Sequence, residues 1–480
     1  MDNKSYIVAI DLGSSSIAVA AGSREPDGKL NVLDVVTKPM DGMVAGEVMN
    51  IEQVTGGIRE AVSELVGKLG IKVSEAYTGV SGVDIKCAEN SYFVYVASKD
   101  GEILDEDVAK LHDSMDNLQP PQGVVILDRV PQKYLIDRRE ETQYPVGRFG
   151  RELGSTFNYI LGNGNSLERM GKAFARLNIK QLKTYTNAQA SAAAVLTDDE
   201  KELGAAVINI GAGCSDICIW QDKILRYVGV IPIGSAAINH DIRSIAVPER
   251  NIEKLKTTYG YAVPSRIPED KKDQTIKIKG RTARETKEVS FYNLSQIIEA
   301  RLLDIVEHAM EEIKDAGYQG KLGAGIVLTG GGSLMKGIDI LFNDKTGYDV
   351  RIGGTEHSLV SKESYEYADD IRLSTVLGLL LMGLKDSDIK VDDDPANKRH
   401  KPVIEKEKEQ DPDDYFIDDD EEEEVVKPKK PAKEEHRPEK EKPKEKEKKA
   451  AKPKKEKKSL KDRFGGIFTN MFEIVDDEEI

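Results

Sequence analysis

The sequence predicts an α/β protein built from a duplicated unit, and three observations carry that reading. Asp11-Leu12-Gly13-Ser14-Ser15-Ser16 and Asn209-Ile210-Gly211-Ala212-Gly213-Cys214-Ser215 are one device used twice. Each lies between two apolar, β-branched runs, residues 6–10 and 17–21, then 205–208 and 217–220. Such a pattern reads as strand, tight Gly turn, strand. Up to about Lys385, apolar segments alternate with Gly-containing turns in strand-then-helix order, the signature of α/β architecture. A third Gly turn, Gly330-Gly331-Gly332-Ser333, follows the apolar run 325–329. Ligands of open α/β sheets sit at such carboxyl ends of strands.

The first α/β unit runs to about Val83, with a helix over 51–69 marked by Val54, Ile58, Ala61, Val62, Leu65 and Leu69. Residues 84–165 are strand-rich and polar, with runs at 91–97, 124–127 and 133–136, and read as an inserted subdomain. Helical patterns follow over 166–177 and 189–196. The second half opens near Leu203 with the second hairpin and a strand over 224–231. A helix over 294–313 carries Ile297, Ile298, Leu302, Ile305, Val306, Ala309 and Ile313, and an apolar helix over 374–382 closes the globular part.

The remaining composition sorts the chain further. Its 480 residues predict several domains, and a net charge of −16 argues against general nucleic-acid binding. No stretch approaches the roughly 20 apolar residues of a membrane span. The amino terminus enters a strand with no signal segment, which predicts a cytoplasmic chain. Cys87, Cys214 and Cys218 form no disulfide framework, and the last two read as small core residues. Residues 386–459 hold almost no packing residues, with an acidic block at 403–424 and a Lys-rich block at 427–458, and read as a disordered tether. Apolar character then returns. Leu460, Phe464, Ile467, Phe468, Met471, Phe472 and Val475 recur at helical spacing, on a stripe of about 140°. Lys457, Lys458, Lys461 and Arg463 stand at its start.

Glycines let a backbone come close to a ligand, and successive turn N–H groups form an anion nest. Two such hairpins facing each other would grip a phosphate chain from both sides, with the Asp11 carboxylate placed to hold Mg²⁺ through water.

Taken together, the two hairpins and the Gly turn at 330–333 resemble the actin-like ATPase superfamily over residues 5–385. The fold implied is a duplicated actin-like (ribonuclease-H-like) α/β fold. The position of the insertion narrows the resemblance to the FtsA family of bacterial cell-division proteins. The stretches 130–137, 145–147, 191–200, 325–331, 350–353 and 374–380 are similar to that family, as is an amphipathic carboxy-terminal helix behind a variable linker. The implied division is subdomain 1A over 1–83, 166–202 and 372–385, an SHS2-like subdomain 1C over 84–165, 2A over 203–235 and 306–371, and 2B over 236–305. The linker is then 386–459 and a membrane-targeting helix 460–475.

The resemblance also implies roles. Gly13, Ser14, Ser15 and Ser16 would contact the β- and γ-phosphates of ATP, with Asp11 at Mg²⁺ through water. Gly211, Ala212, Gly213 and Cys214 would form the opposing hairpin. Glu253 and Lys256 would reach ribose and adenine, and Gly331, Gly332 and Ser333 would lie under the adenosine. Arg301 would meet the carboxy-terminal peptide of FtsZ, the tubulin-like division protein. The seven apolar residues from Leu460 to Val475 would bind membrane lipid. The family further implies polymers of the chain with itself, contacts with other division proteins, and a place on the cytoplasmic face of the membrane at the septum. Two departures stand out: the second hairpin has Asn209 where Asp is usual, Ala212 in place of its middle Gly and Cys214 where Thr is usual, and no Gln or Glu is identified to position water opposite the γ-phosphate. An amide brings no charge to the metal, so weak Mg²⁺ handling by Asn209 and slow or absent hydrolysis are expected. Two other readings stay open, an actin-fold small-molecule kinase and another bacterial actin-like cytoskeletal protein.

Overall fold

The computed structural model describes residues 6–279 and 286–392. The duplication appears directly in the sheets. Tyr6–Leu12, Ser16–Arg24 and Leu30–Pro39 form an antiparallel meander, and Glu75–Val80 and Lys180–Thr186 add to the free edge of Tyr6–Leu12 in parallel. In the second half Ala205–Ile210, Ser215–Gln221 and Ile224–Ile231 form the same meander, and Gly325–Thr329 and Val350–Ile352 add in parallel. Both sheets thus have the strand order 3-2-1-4-5.

The central strands are apolar runs because both faces are covered. On the first sheet Val8, Ile10 and Leu12 face the large core that holds helix Ile51–Leu69, while Ala9, Ala18 and Ala20 face the closing helix Ser374–Asp392. Helix Ile51–Leu69 has the predicted bounds. Asn50 caps its start by accepting from the N–H groups of Glu52 and Gln53, and Gly70 ends it at φ 65°. Helix Gly164–Ala175 and helix Asn187–Val195 start two residues before their predicted bounds, and helix Phe291–Asp315 extends the predicted one at both ends. The closing helix continues to Asp392, past the compositional change at Lys385.

That helix lies against Asn187–Val195 at backbone contact distance. A Cβ on Gly378 would stand 1.8 Å from the carbonyl oxygen of Ala190. Gly378→Ala gains about 1 kcal/mol of helix propensity. It must also push two buried helices apart, an overpacking cost of about 3 kcal/mol or more. The variant is therefore expected to lose about 2 kcal/mol or more of stability, read as a lower urea midpoint. An unchanged midpoint would contradict this packing.

The insertion leaves after Glu75–Val80 and returns through Asn163 into helix Gly164–Ala175. It is a four-stranded antiparallel sheet in the order Lys86–Tyr95, Glu152–Asn163, Val124–Ile136, Glu140–Thr142. Helix Asp105–Asp116 packs on it, around Val94, Ile103, Leu111, Ile136 and Leu153. Val124–Ile136 is one strand where the sequence reads as two. Pro131 stands opposite Phe157 next to a bulge, beyond the reach of the short edge strand, which pairs only with residues 134–136. A proline is tolerated where no ladder bond is required of its nitrogen.

Candidate functional site

The two hairpin turns are built alike. Gly13 donates its N–H to the carbonyl of Ser16 at 2.9 Å, and Gly211 donates to the carbonyl of Cys214 at 3.0 Å. Both turns therefore span four residues between paired strands. They also face each other. A Cβ on Gly213 would lie 2.4 Å from Ser14 Oγ and 3.0 Å from the Ala45 nitrogen. The Gly46 N–H donates to Ser14 Oγ at 3.0 Å, so the tight turn at Ala45-Gly46 leans on the first hairpin. Ala45 holds φ 48°, a left-handed conformation uncommon for a residue with a Cβ.

The second turn is supported from behind. Ser235 and Ala236, at the start of helix Ala236–Ser244, donate their N–H groups to the carbonyls of Gly211 and Ala212, each at 2.9 Å. Lys256 is buried on helix Glu249–Tyr259, pairs with Glu253 at 2.9 Å and donates to the Ser235 carbonyl at 3.4 Å. Glu253 also accepts from Asn239 at 2.7 Å. Both predicted residues thus stand next to the second hairpin, joined to each other. At the third Gly turn Gly330 has φ 82°, and a Cβ there would lie 2.2 Å from Asn209 Oδ1. Gly331 is exposed, whereas Gly332 and Ser333 are buried, and the Ser333 hydroxyl donates back to the Thr329 carbonyl at 2.6 Å.

The carboxylates are arranged in a way the sequence reading missed. Asn209 is buried and donates to Thr375 Oγ1 at 2.9 Å, toward the closing helix. Its partner across the hairpin is Asp216, which is buried and accepts from Ser81 Oγ at 2.6 Å. Cys214 Sγ lies 3.2 Å from the same hydroxyl. The second hairpin therefore does carry a carboxylate, on its outgoing strand. Asn187, at the start of helix Asn187–Val195, donates to Asp11 Oδ1 at 3.3 Å.

Burial pushes Asp11 up to about 6, opposed by the Asn187 hydrogen bond. Burial pushes Asp216 up to about 7, opposed by the Ser81 hydrogen bond and aided by the Asp11 charge. The Cys214 thiol is pushed up to about 12 by burial and by Asp216, which keeps it protonated. A raised carboxylate binds more protons folded than unfolded, so its contribution to stability falls as pH rises from the ordinary Asp range to about 7. Asp216→Asn removes that term while keeping an acceptor for Ser81. The variant is expected to gain on the wild type by up to about 4 kcal/mol between pH 4 and pH 8, read by urea unfolding without nucleotide. A gain that does not grow with pH would contradict the placement of Asp216.

Arg301, on helix Phe291–Asp315, makes a two-point ion pair with Asp241 at 2.7 and 3.1 Å and a third bond to Asp304 at 2.9 Å. Leu460, Phe464, Ile467, Phe468, Met471, Phe472 and Val475 lie outside the described residues, as do linker residues 393–459. No helix among the described residues is long and apolar enough to cross a membrane.

Residues 206–378 match the family described as "Cell division protein FtsA", and residues 82–161 match the "SHS2 domain inserted in FTSA". The chain is 31% identical over 384 residues to the cell division protein FtsA of Neisseria meningitidis serogroup B, an alignment covering 78% of this chain and 89% of the relative. It is 29% identical over 366 residues to FtsA of Bacillus subtilis, covering 76% and 82%. Among solved structures, the PilM-PilN type IV pilus biogenesis complex aligns with a TM-score of 0.53 at 15% identity, over 79% of this chain and 98% of that one. MreB5 of Spiroplasma citri bound to ADP aligns with a TM-score of 0.50 at 12% identity, over 81% and 98%. The duplicated 3-2-1-4-5 sheets, the inserted subdomain and these matches agree: the chain belongs to the FtsA family of cell division proteins, on the actin-like ATPase fold.

Proposed function

We propose that the chain binds ATP with Mg²⁺ between its two Gly turns, polymerises with itself, and tethers the FtsZ ring to the cytoplasmic face of the membrane at the septum. The observation that carries this reading is the pair of identically bonded turns facing each other, Gly213 against Ser14. Residues 13–16 and 211–214 would cradle the phosphates with their backbone N–H groups. Glu253, Lys256 and Gly331 would flank the nucleoside. Asp11, Asp216 and Asn187 offer only oxygen acceptors and an amide, a donor set suited to a hard cation held through water. Mg²⁺ bound there would neutralise phosphate charge.

Turnover is proposed to be slow. Asn187 is the amide at the helix start beside Asp11, and an amide can orient water but cannot take its proton. Ion pairing does not bar Arg301 from the FtsZ peptide: its side chain remains about a third exposed, and a peptide carboxylate could replace Asp304, the more exposed of its two partners. The membrane part of the proposal is carried by the apolar stripe at 460–475.

The test is co-sedimentation with liposomes and FtsZ, with and without ATP, using the full chain and a version ending at Asp392. The full chain is expected to carry FtsZ into the liposome pellet, more so with ATP, and the shortened chain is not. Equal pelleting by both versions, or rapid ATP consumption by the purified protein, would overturn the proposal.

A further inference from the structure

We infer that Ser81 is a positioning residue that couples the occupant of the two Gly turns to the orientation of the inserted subdomain. The inference rests on the nucleotide reading above and adds a route out of that site.

Ser81 is buried at the end of the strand from which the insertion departs. Its hydroxyl donates to Asp216 Oδ1 at 2.6 Å and lies 3.2 Å from Cys214 Sγ. With the thiol held protonated, the donors run from Cys214 S–H to Ser81 O–H to the Asp216 carboxylate. The second turn therefore reaches the root of the insertion through a single side chain. The first turn reaches it from the other side. Gly46 donates to Ser14 Oγ, and a Cβ on Gly46 would stand 2.8 Å from the carbonyl carbon of Ser81 and 2.9 Å from the Gly82 nitrogen. The Ser81–Gly82 peptide thus packs against Gly46, which leans on the first turn, while the Ser81 side chain meets the second hairpin, and Gly82 leaves at φ 144°, in a region that suits glycine.

The root holds a small recess. It measures about 10 Å³, room for about one water molecule, and is lined by residues of both connecting segments, among them Gly82, Asp84, Ile85, Gly162 and Asn163. Along its flank the insertion meets the second half through both polar and apolar contacts. Gln132 and Asn158 donate to the carbonyls of Leu225 and Arg226 at 3.0 and 2.6 Å, and Arg226 donates to Gln132 at 3.0 Å. Ile160, with Cys87, Leu127 and Val130 packed beside it, shares a core cluster with Leu225 and Val228, so the insertion moves as a body with this contact as its pivot.

A divalent cation held between the turns would draw the Asp216 carboxylate toward it, against the repulsion of the phosphates. The buried Ser81 hydroxyl must follow or lose its acceptor, and following carries Gly82 with it. The insertion amplifies the step. Its 13-residue strand Val124–Ile136 spans about 40 Å, so a rotation of about 10° at the root moves the far end by about 7 Å.

The experiment uses the full chain with genetically encoded azides at the exposed positions Tyr144, at the far end of the insertion, and Glu60, on helix Ile51–Leu69. Both carry nitroxides, and electron–electron distances are measured with and without a non-hydrolysable ATP analogue and Mg²⁺. Analogue binding is followed separately by a fluorescent derivative. In the wild type the distance is expected to shift by several ångströms on binding. Ser81→Ala is expected to bind the analogue within about threefold of wild type but to lose the shift, while Ser81→Thr, which keeps the hydroxyl, retains it. A wild type that binds with no shift, or a Ser81→Ala protein that shifts like the wild type, overturns the coupling. A wild type that binds no analogue overturns the nucleotide reading itself, and the coupling with it.

Discussion

Replacing Gly213 with valine is expected to abolish stabilisation by ATP while leaving the protein folded. A Cβ at this position would already sit 2.4 Å from Ser14 Oγ and 3.0 Å from the Ala45 nitrogen. Valine adds two more carbons in the gap between the turns, where the phosphates are proposed to lie. Ser14 can rotate aside, but the Ala45 backbone cannot without disturbing a turn already held at positive φ. The loss in the nucleotide-free protein should stay within the 1–3 kcal/mol typical of overpacking, because Gly213 is only half-buried. The loss in the bound protein is larger. A ligand at roughly 100 times its Kd stabilises by about 2.7 kcal/mol, all of which disappears when the site is blocked. Thermal unfolding with and without ATP reads both effects. A valine variant that keeps the wild-type response to ATP would remove the facing turns as the site. A variant that loses the response because it is unfolded would show no cooperative transition at all.

The parts of this site that were legible in the sequence are those made within one hairpin. Strand, turn and strand lie within about a dozen residues, so the repeat at 11–16 and 209–215 could be read without knowing what packs on it. Asp216 was within reach of the same logic. A four-residue turn that sets Asp11 against Ala18 sets Asn209 against Asp216. Reading the outgoing strand as well as the incoming one would have found the second carboxylate, and it removes the missing charge as a reason for slow hydrolysis. Ser81 and Asn187 were not legible, because each arrives from another segment and only the closed fold brings it to the turns. Ser333 shows the opposite error: its place in a Gly-rich turn suggests a ligand contact, yet its hydroxyl is spent on its own backbone.

The fold was readable for similar reasons. Helix Ile51–Leu69 announces itself by a wide apolar stripe with a cap at each end. Helix Asp105–Asp116 does not, since its inward face is little more than Val108, Leu111 and Met115 among charged residues. It is held by tertiary packing and by Asp107, whose carboxylate accepts from the N–H groups of Ala97 and Leu104. Only the first of those bonds links the helix to the neighbouring strand segment, and sequence spacing carries no trace of it.

The second large effect concerns the apolar stripe at 460–475. Replacing Phe468 and Phe472 with Glu in the full chain is expected to release it from anionic liposomes. A fully buried apolar side chain is worth about 1.5–3 kcal/mol, and an interfacial helix realises about half of that. Removing two such residues therefore costs about 2–3 kcal/mol, and two carboxylates in their place add repulsion from anionic lipid at about 1 kcal/mol each. At 1.4 kcal/mol per tenfold, affinity falls by about 1,000-fold. Lys457, Lys458, Lys461 and Arg463 remain, so any residual binding should be electrostatic and vanish with added salt, whereas the wild type keeps its apolar share. The proposed polymer would sharpen the contrast. Many weak helices on one filament gain avidity, so a modest loss per helix becomes a large loss per polymer. The expected pattern is wild-type protein in the liposome pellet at both low and high salt, and variant protein in the supernatant at high salt. If the stripe instead docks into a groove on another protein, the liposome pellet of purified components will not change on substitution, and that result would remove the membrane anchor from the proposal while leaving the nucleotide site intact.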